Sequence, residues 1–147
     1  MKSTIDQDTL KVLAFRKFWK SEGNDPHEVT SLSDSPADDY SVMTDEEADE
    51  AAADYIKDSL WAFNASFILS ECGLDSSGEE SLRSMQEKSC ESANDFILSL
   101  VEKTCGLKSF VESAISSDGR GHFLSSYDGE ENEVEYKGKT LYIYRNN

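Results

Sequence analysis

Residues 44–63, TDEEADEAAADYIKDSLWAF, decide how this chain is read, because they hold both a helix start and a dense run of negative charge. Thr44-Asp45-Glu46-Glu47 has the S/T-x-x-E spacing of a capping box, in which a hydroxyl and a carboxylate satisfy each other's backbone amides. Met43 stands where it can staple against Ala48. Ala48, Ala52, Tyr55 and Ser59 then recur at helical spacing as an inward stripe, widened by Ala51, Ile56, Leu60 and Phe63. Asp45, Glu46, Glu47, Asp49, Glu50, Asp54 and Asp58 crowd the same helix.

Working downstream, Asn64 caps a short successor helix that runs through Leu69, and Gly73 stops it. Ser77-Gly78-Glu79-Glu80 repeats the S-x-x-E signal. Leu82, Met85, Ser89, Ala93, Phe96 and Leu100 follow at helical intervals, which predicts one amphipathic helix to about Thr104. Gly106 ends it, and Leu107–Ile115 adds another short helix. Asp118-Gly119-Arg120-Gly121 and Asp128-Gly129 are turn formers. Asn132–Tyr136 and Lys139–Arg145 then read as a hairpin joined by Lys137-Gly138, with Val134, Leu141 and Ile143 on one face and Thr140, Tyr142 and Tyr144 on the other.

Upstream, residues 6–20 predict a helix with two apolar stripes, one of Leu10, Leu13, Ala14 and Phe18, the other of Ile5, Val12, Phe15 and Trp19. Such a helix is buried on both sides, or buried on one and docked to a partner on the other. Residues 21–43 lose periodicity and contain Gly23, Asn24, Pro26 and Ser35-Pro36, which predicts a long acidic loop with one short helical turn. The expected class is α+β: four to five helices with a C-terminal antiparallel hairpin. The expected organisation is one domain over 1–147, with a basic helix (1–20), an acidic loop (21–43), a helical core (44–116) and a turn with hairpin (117–147). No internal repeat stands out.

The formal net charge of −16 is unevenly placed. Residues 1–20 carry five Lys/Arg against Asp6 and Asp8, a net of +3, so the remaining 127 residues carry −19. Between Ser21 and Ile56 there are twelve Asp/Glu and no Lys or Arg. This balance argues against direct nucleic-acid binding, which needs cations to displace phosphate counterions, and favours a basic protein partner. No stretch approaches the ~18 apolar residues of a membrane span, and residues 1–10 lack the apolar run of a signal peptide. Three cysteines without C-x-x-C pairing suit a reducing cytosol.

Catalytic and metal sets are poorly supported. His122 lies between Asp118 and Asp128 with Ser125 and Ser126 nearby, too crowded in sequence for a Ser/His/Asp triad. Asp128-Gly129-Glu130-Glu131 lacks the alternating ligands of a calcium loop, and the histidines and cysteines have no zinc spacing. Gly119 and Gly121 around Arg120 could form an anion nest, but no P-loop lysine follows. Neither enzyme activity, cofactor nor metal is expected. The acids of the 45–58 helix fall about one per 3 Å over ~21 Å, close to the ~3.4 Å per charge of one DNA strand. A solvated face has the same composition, and acids in a first helical turn are stabilised by the macrodipole without any partner.

Three C-terminal segments, Ile115–Leu124 (ISSDGRGHFL), Tyr127–Glu131 (YDGEE) and Tyr142–Arg145 (YIYR), resemble the ending of many small tailed-bacteriophage proteins. Thr44–Ala51 and Ser59–Asn64 are similar to segments of the same group, and together they cover about a third of the chain. Residues 1–43 and 75–108 lie outside the resemblance. It implies a phage accessory protein that binds and disables a host or defence protein, of the anti-restriction or anti-CRISPR type, in some cases by imitating DNA. It carries over no functional residue. On this reading Asp45, Glu46, Asp49, Glu50, Asp54 and Asp58, with Asp34, Asp38 and Asp39 from the loop, form the face for a basic partner. In the alternative, Phe15, Phe18 and Trp19 build a homodimer or virion contact and the acids only confer solubility.

Overall fold

Asp6 opens the first helix, α1 (Gln7–Ser21), by accepting a hydrogen bond from the Thr9 amide at 2.9 Å. The computed structural model describes residues 5–147, so part of the expected basic region, Lys2 included, lies outside the described residues. The chain divides into two units, the first made of the chain to Ala51 together with Arg120–Asn147, the second of Ala52–Gly119.

In the first unit α1 packs on a three-stranded antiparallel sheet in the order β1-β3-β2: β1 (Tyr40–Met43), β2 (Asn132–Tyr136) and β3 (Lys139–Arg145). The hairpin is as expected: Val134 pairs with Leu141, and both turn residues, Lys137 and Gly138, have positive φ, as a type I′ turn requires. The short helical turn expected within 21–43 lies at Pro26–Glu28, but the third strand, Tyr40–Met43, corrects the expectation that the rest is loop. Val42 pairs with Ile143 and Tyr40 with Arg145. A lone hairpin is marginal in water, and the added strand gives it a partnered edge.

Ala14, Phe15, Phe18, Val29, Ala37, Val42, Val134, Leu141 and Ile143 form the core of this unit, with Leu10, Val12, Trp19 and Tyr40 packed around them. Most of both stripes is thereby used internally, while Ile5 stays exposed. The segment after α1 is tied to it: Arg16 Nε donates to the Val29 carbonyl at 2.8 Å, and Trp19 Nε1 to Glu28 at 3.2 Å. A short helix, α7 (Arg120–Leu124), stands where a turn was expected. It starts immediately after Gly119, whose φ of +84° suits only glycine.

The helix α2 (Asp45–Asp58) starts in the first unit and continues into the second. The second unit then holds α3 (Ala65–Glu71), α4 (Glu79–Ser89), α5 (Asn94–Lys103) and α6 (Leu107–Asp118). Its interior is built from Leu60, Ile68, Leu82, Ala93, Ile97, Val101, Phe110 and Ala114. Phe63 and Phe67 meet the Phe110 ring edge-on at 5.3 and 5.4 Å. The single helix expected over 77–104 is instead broken at Cys90–Ala93. The break lies in Ser-Cys-Glu-Ser-Ala-Asn, rich in weak helix formers. It also frees Asn94, which accepts from the Trp61 amide at 3.1 Å and donates to the Lys57 carbonyl at 2.9 Å. Gln86 donates to the Trp61 and Phe63 carbonyls, so two side chains clamp the same turn.

A short repeat also corrects the sequence reading. Phe-Ile-Leu-Ser occurs at 67–70 and 96–99, and Cys-Gly-Leu-x-Ser at 72–76 and 105–109. The copies occupy equivalent places: each Phe-Ile-Leu-Ser lies in a helix, α3 or α5, and each following glycine has positive φ, +70° at Gly73 and +87° at Gly106. Four extra residues in α5, about one turn, hid the match.

Gly121 lies where backbone crosses closely. A Cβ there would stand 2.6–2.8 Å from Gly129 O, Glu130 C and Glu131 N. Gly121→Ala should therefore lower stability by about 2–3 kcal/mol through overpacking against backbone. Gly78→Ala, at a φ of −87°, meets open space and should change stability by less than ~1 kcal/mol. Urea midpoints of the two variants check the ranking.

Candidate functional site

The capping box forms as its spacing predicts. The Glu47 amide donates to Thr44 Oγ1 at 3.1 Å, and the Thr44 amide to Glu47 Oε1 at 2.9 Å. Lys11, from α1, adds an ion pair to Glu47 at 2.8 Å. The Lys11 hydrogen bond first, then the Thr44 amide, hold the Glu47 carboxyl below its ordinary range.

The strongest charge cluster of the first unit is centred on Arg120, whose side chain is only 10% exposed. Its Nη1 donates to Asp45 Oδ1 at 2.8 Å, to Asp49 Oδ1 at 2.9 Å and to the Asp45 carbonyl at 3.2 Å. Its Nε donates to Glu131 Oε1 at 2.8 Å, and the guanidinium carbon lies 4.5 Å from the Tyr142 ring centre. Tyr144 is fully buried and donates its hydroxyl to the same Glu131 oxygen. Burial alone would lower the Arg120 pKa, but the bonds to Glu131 and Asp45 raise it above its ordinary value. Burial and then the Glu131 bond raise that of Tyr144. Gly121 is what lets this cluster assemble, since backbone 129–131, which carries Glu131, crosses where a side chain would be.

The structure therefore sorts the acids of α2. Asp45 and Asp49 face Arg120, and Glu47 faces Lys11. Glu46, Glu50, Asp54 and Asp58 are exposed, and among the described residues none of them is in an ion pair. They are spaced at i, i+4, i+8 and i+12, so helix geometry alone sets them about 6 Å apart in axial rise over ~18 Å, along one i±4n ridge.

The other expected site residues are placed differently. Asp34 is exposed and accepts from the Ser31 hydroxyl at 2.9 Å; Asp38 is exposed. The Asp39 carbonyl accepts from the Asn146 amide at 2.7 Å and its carboxylate from Asn147 at 3.3 Å. Their partners thus come from the neighbouring loop and the C-terminal residues. Phe15 is fully buried and Phe18 is 7% exposed. Trp19 stacks on Phe15 at 5.8 Å and meets Tyr40 at 6.1 Å. Phe15 and Phe18 are thus committed to the core, while Trp19 is only partly buried. The Ser125 hydroxyl lies 2.8 Å from Asp128 Oδ1 and 2.6 Å from the Arg145 carbonyl, with one proton to share between them, while His122 is exposed with its ring edge-on to Phe123.

Sequence reasoning treated Arg120 as part of a turn. Its partners are 71 and 75 residues away, and no local spacing signals such a contact. Among the described residues, no helix is long and apolar enough to cross a membrane. Protein-family models, curated proteins and solved structures give no match to this chain.

Two variants test this account. Arg120→Met removes a buried cation but leaves Asp45 and Asp49 more than half exposed. Its cost should therefore be about 2 kcal/mol, below the ~3–5 kcal/mol of a fully buried pair, as read from chemical denaturation. Glu47→Gln tests the linkage. A carboxyl whose folded pKa is depressed contributes stability above its unfolded value and loses it as pH falls through the folded one. The variant should be less stable than the parent at neutral pH by less than ~1 kcal/mol, with the gap closing in acid.

Proposed function

We propose that this chain is a non-catalytic binding protein, of the accessory kind carried by tailed bacteriophages, that occupies a basic surface of a host or defence protein. The supporting observation is the row Glu46, Glu50, Asp54 and Asp58, four exposed carboxylates on one helix ridge with no ion pair among the described residues. Arg120 and Lys11 take up the other acids nearest the helix start, so what remains presents a field of one sign. The surplus of −19 outside the first twenty residues reinforces that field. The sequence resemblance to phage proteins supports the origin.

Magnitudes narrow the mode of binding. The unpaired row by itself offers one charge per ~6 Å of axis, about half the density of a DNA strand at ~3.4 Å per charge, and Asp45 and Asp49, which share one cation with Glu131, add to the same field. A ladder for Lys and Arg side chains fits this spacing better than a replica of a phosphate backbone. The partner of this reading is a protein surface that itself holds nucleic acid, blocked by an anti-restriction or anti-CRISPR type inhibitor. Association led by exposed charge is fast and depends on salt, because fields are screened within about 8 Å at physiological ionic strength.

The test is capture of host proteins by the full chain, repeated with Glu46→Lys, Glu50→Lys, Asp54→Lys and Asp58→Lys combined. The combined variant should keep its circular dichroism and lose the partner. Wild-type affinity for that partner should fall at least tenfold between low and high salt. Equal capture by the variant, or a salt-independent affinity, would sink the reading.

A further inference from the structure

Beside the C-terminal end of α1 the first unit has an open cavity of about 290 Å³. Trp19 and Glu22 reach it from α1 and its cap, Tyr40 from the start of β1, and Arg145 from the end of β3. Asp128 and Asn132 line it from the approach to β2 and its first residue. The charges around this space are not paired with one another. Among the described residues, none of Glu22, Asp128 and Arg145 is in an ion pair. We infer that the cavity binds a small zwitterion, a free α-amino acid with an apolar side chain. Arg145 takes its carboxylate, and Glu22 and Asp128 take its ammonium.

Arg145 is fixed in place but its donors are not used up. Its guanidinium carbon lies 3.7 Å from the Tyr127 ring centre and 5.9 Å from that of Tyr40, and Nε donates to the Asn147 carbonyl at 2.9 Å. Neither Nη nitrogen has a hydrogen bond among the described residues, which leaves the paired donors that suit a carboxylate. On the other side the acceptors are in surplus. Asp128 Oδ1 lies 2.8 Å from the Ser125 hydroxyl and 3.0 Å from the Glu130 amide, and the second oxygen is unspent. Asn132 donates its side-chain amide to the Ile143 carbonyl at 3.1 Å, so its own oxygen is a further acceptor. The Glu22 carboxylate has no hydrogen-bond partner among the described residues. Trp19 and Tyr40, both half-buried and edge-on at 6.1 Å, supply an apolar wall.

Size and charge together select the ligand class. The volume lies just under the roughly 300–1,000 Å³ of sites for drug-sized molecules, so it has room for one small molecule. A simple anion would face two carboxylates in a chain whose net charge is −16. A simple cation would meet the Arg145 guanidinium and leave its donors without an acceptor. An α-amino acid brings no net charge and carries both groups on one carbon, with the side chain free to lie on Trp19 and Tyr40. None of the four ridge acids lines the cavity, so the inference stands independently of the proposed binding face.

The experiment uses the full chain, isotopically labelled and titrated with L-leucine while the two tryptophan indole signals are followed by NMR. Trp19 is assigned as the signal that survives in Trp61→Phe. Its resonance should move saturably, and that of Trp61, which does not line the cavity, should stay. N-acetyl-leucine lacks the ammonium and leucinamide lacks the carboxylate, and each should bind at least tenfold more weakly. Glu22→Gln and Arg145→Gln should each weaken L-leucine binding at least tenfold with unchanged circular dichroism. Glu22 is exposed, so its variant keeps the test valid should Arg145→Gln disturb the stack on Tyr127. No saturable movement of Trp19 into tens of millimolar, equal binding of either blocked derivative, or undiminished binding by Glu22→Gln would each overturn the inference.

Discussion

A single buried guanidinium organises the charge of the first unit. Arg120 gathers Asp45 and Asp49 from α2 and Glu131 from the approach to β2, and lies over the ring of Tyr142 on β3. Burying a cation alone is costly, and the cost is offset only when good geometry satisfies its donors. The planar fork of arginine suits this better than the point charge of lysine. In so acidic a chain the arrangement also decides which carboxylates are structural. Those within reach of Arg120 or Lys11 are held in ion pairs, though still exposed, and those on the adjoining ridge of α2 have water alone around them.

That division explains what could and could not be read from the sequence. The capping box at Thr44–Glu47 was legible because both of its hydrogen bonds join residues three apart. The β2–β3 hairpin was legible for the same reason, its turn chemistry and alternation lying within fourteen residues. Strand β1 was not, because Tyr40–Met43 is defined by partners a hundred residues away at Tyr142–Arg145. Four residues with one buried side chain also make too short a pattern to stand out of an acidic loop. The break between α4 and α5 was written in weak helix formers, but apolar periodicity continued through it and masked it.

The site followed the same rule. Periodicity on α2 identified which residues are acidic and helical, but not which of them meet a cation from elsewhere. Arg120 was read as a turn residue because its neighbours Gly119 and Gly121 are turn formers. Those glycines have separate structural tasks: Gly119 supplies a positive φ before α7, and Gly121 leaves space for backbone 129–131. For α1, Phe15 and Phe18 looked available for a partner because the sequence cannot show that Tyr40 and the sheet bury them, whereas Trp19 stays partly open.

The unpaired ridge has an energetic consequence that a merely solvated surface would avoid. Glu46–Glu50, Glu50–Asp54 and Asp54–Asp58 are three like-charge pairs at i, i+4, each destabilising a helix by about 0.2–0.5 kcal/mol. Their sum, roughly 1 kcal/mol, is similar to what the Thr44 cap contributes. Solubility needs only net charge, and the same number of acids staggered off the ridge, or alternated with lysine, would confer it without the repulsion. Lys57 stands three positions after Asp54, so one cation borders the row without lying on it. On the proposed reading, the repulsion left along the row would be relieved by docking of a basic surface. Relief of that kind adds to affinity without any new contact within the protein.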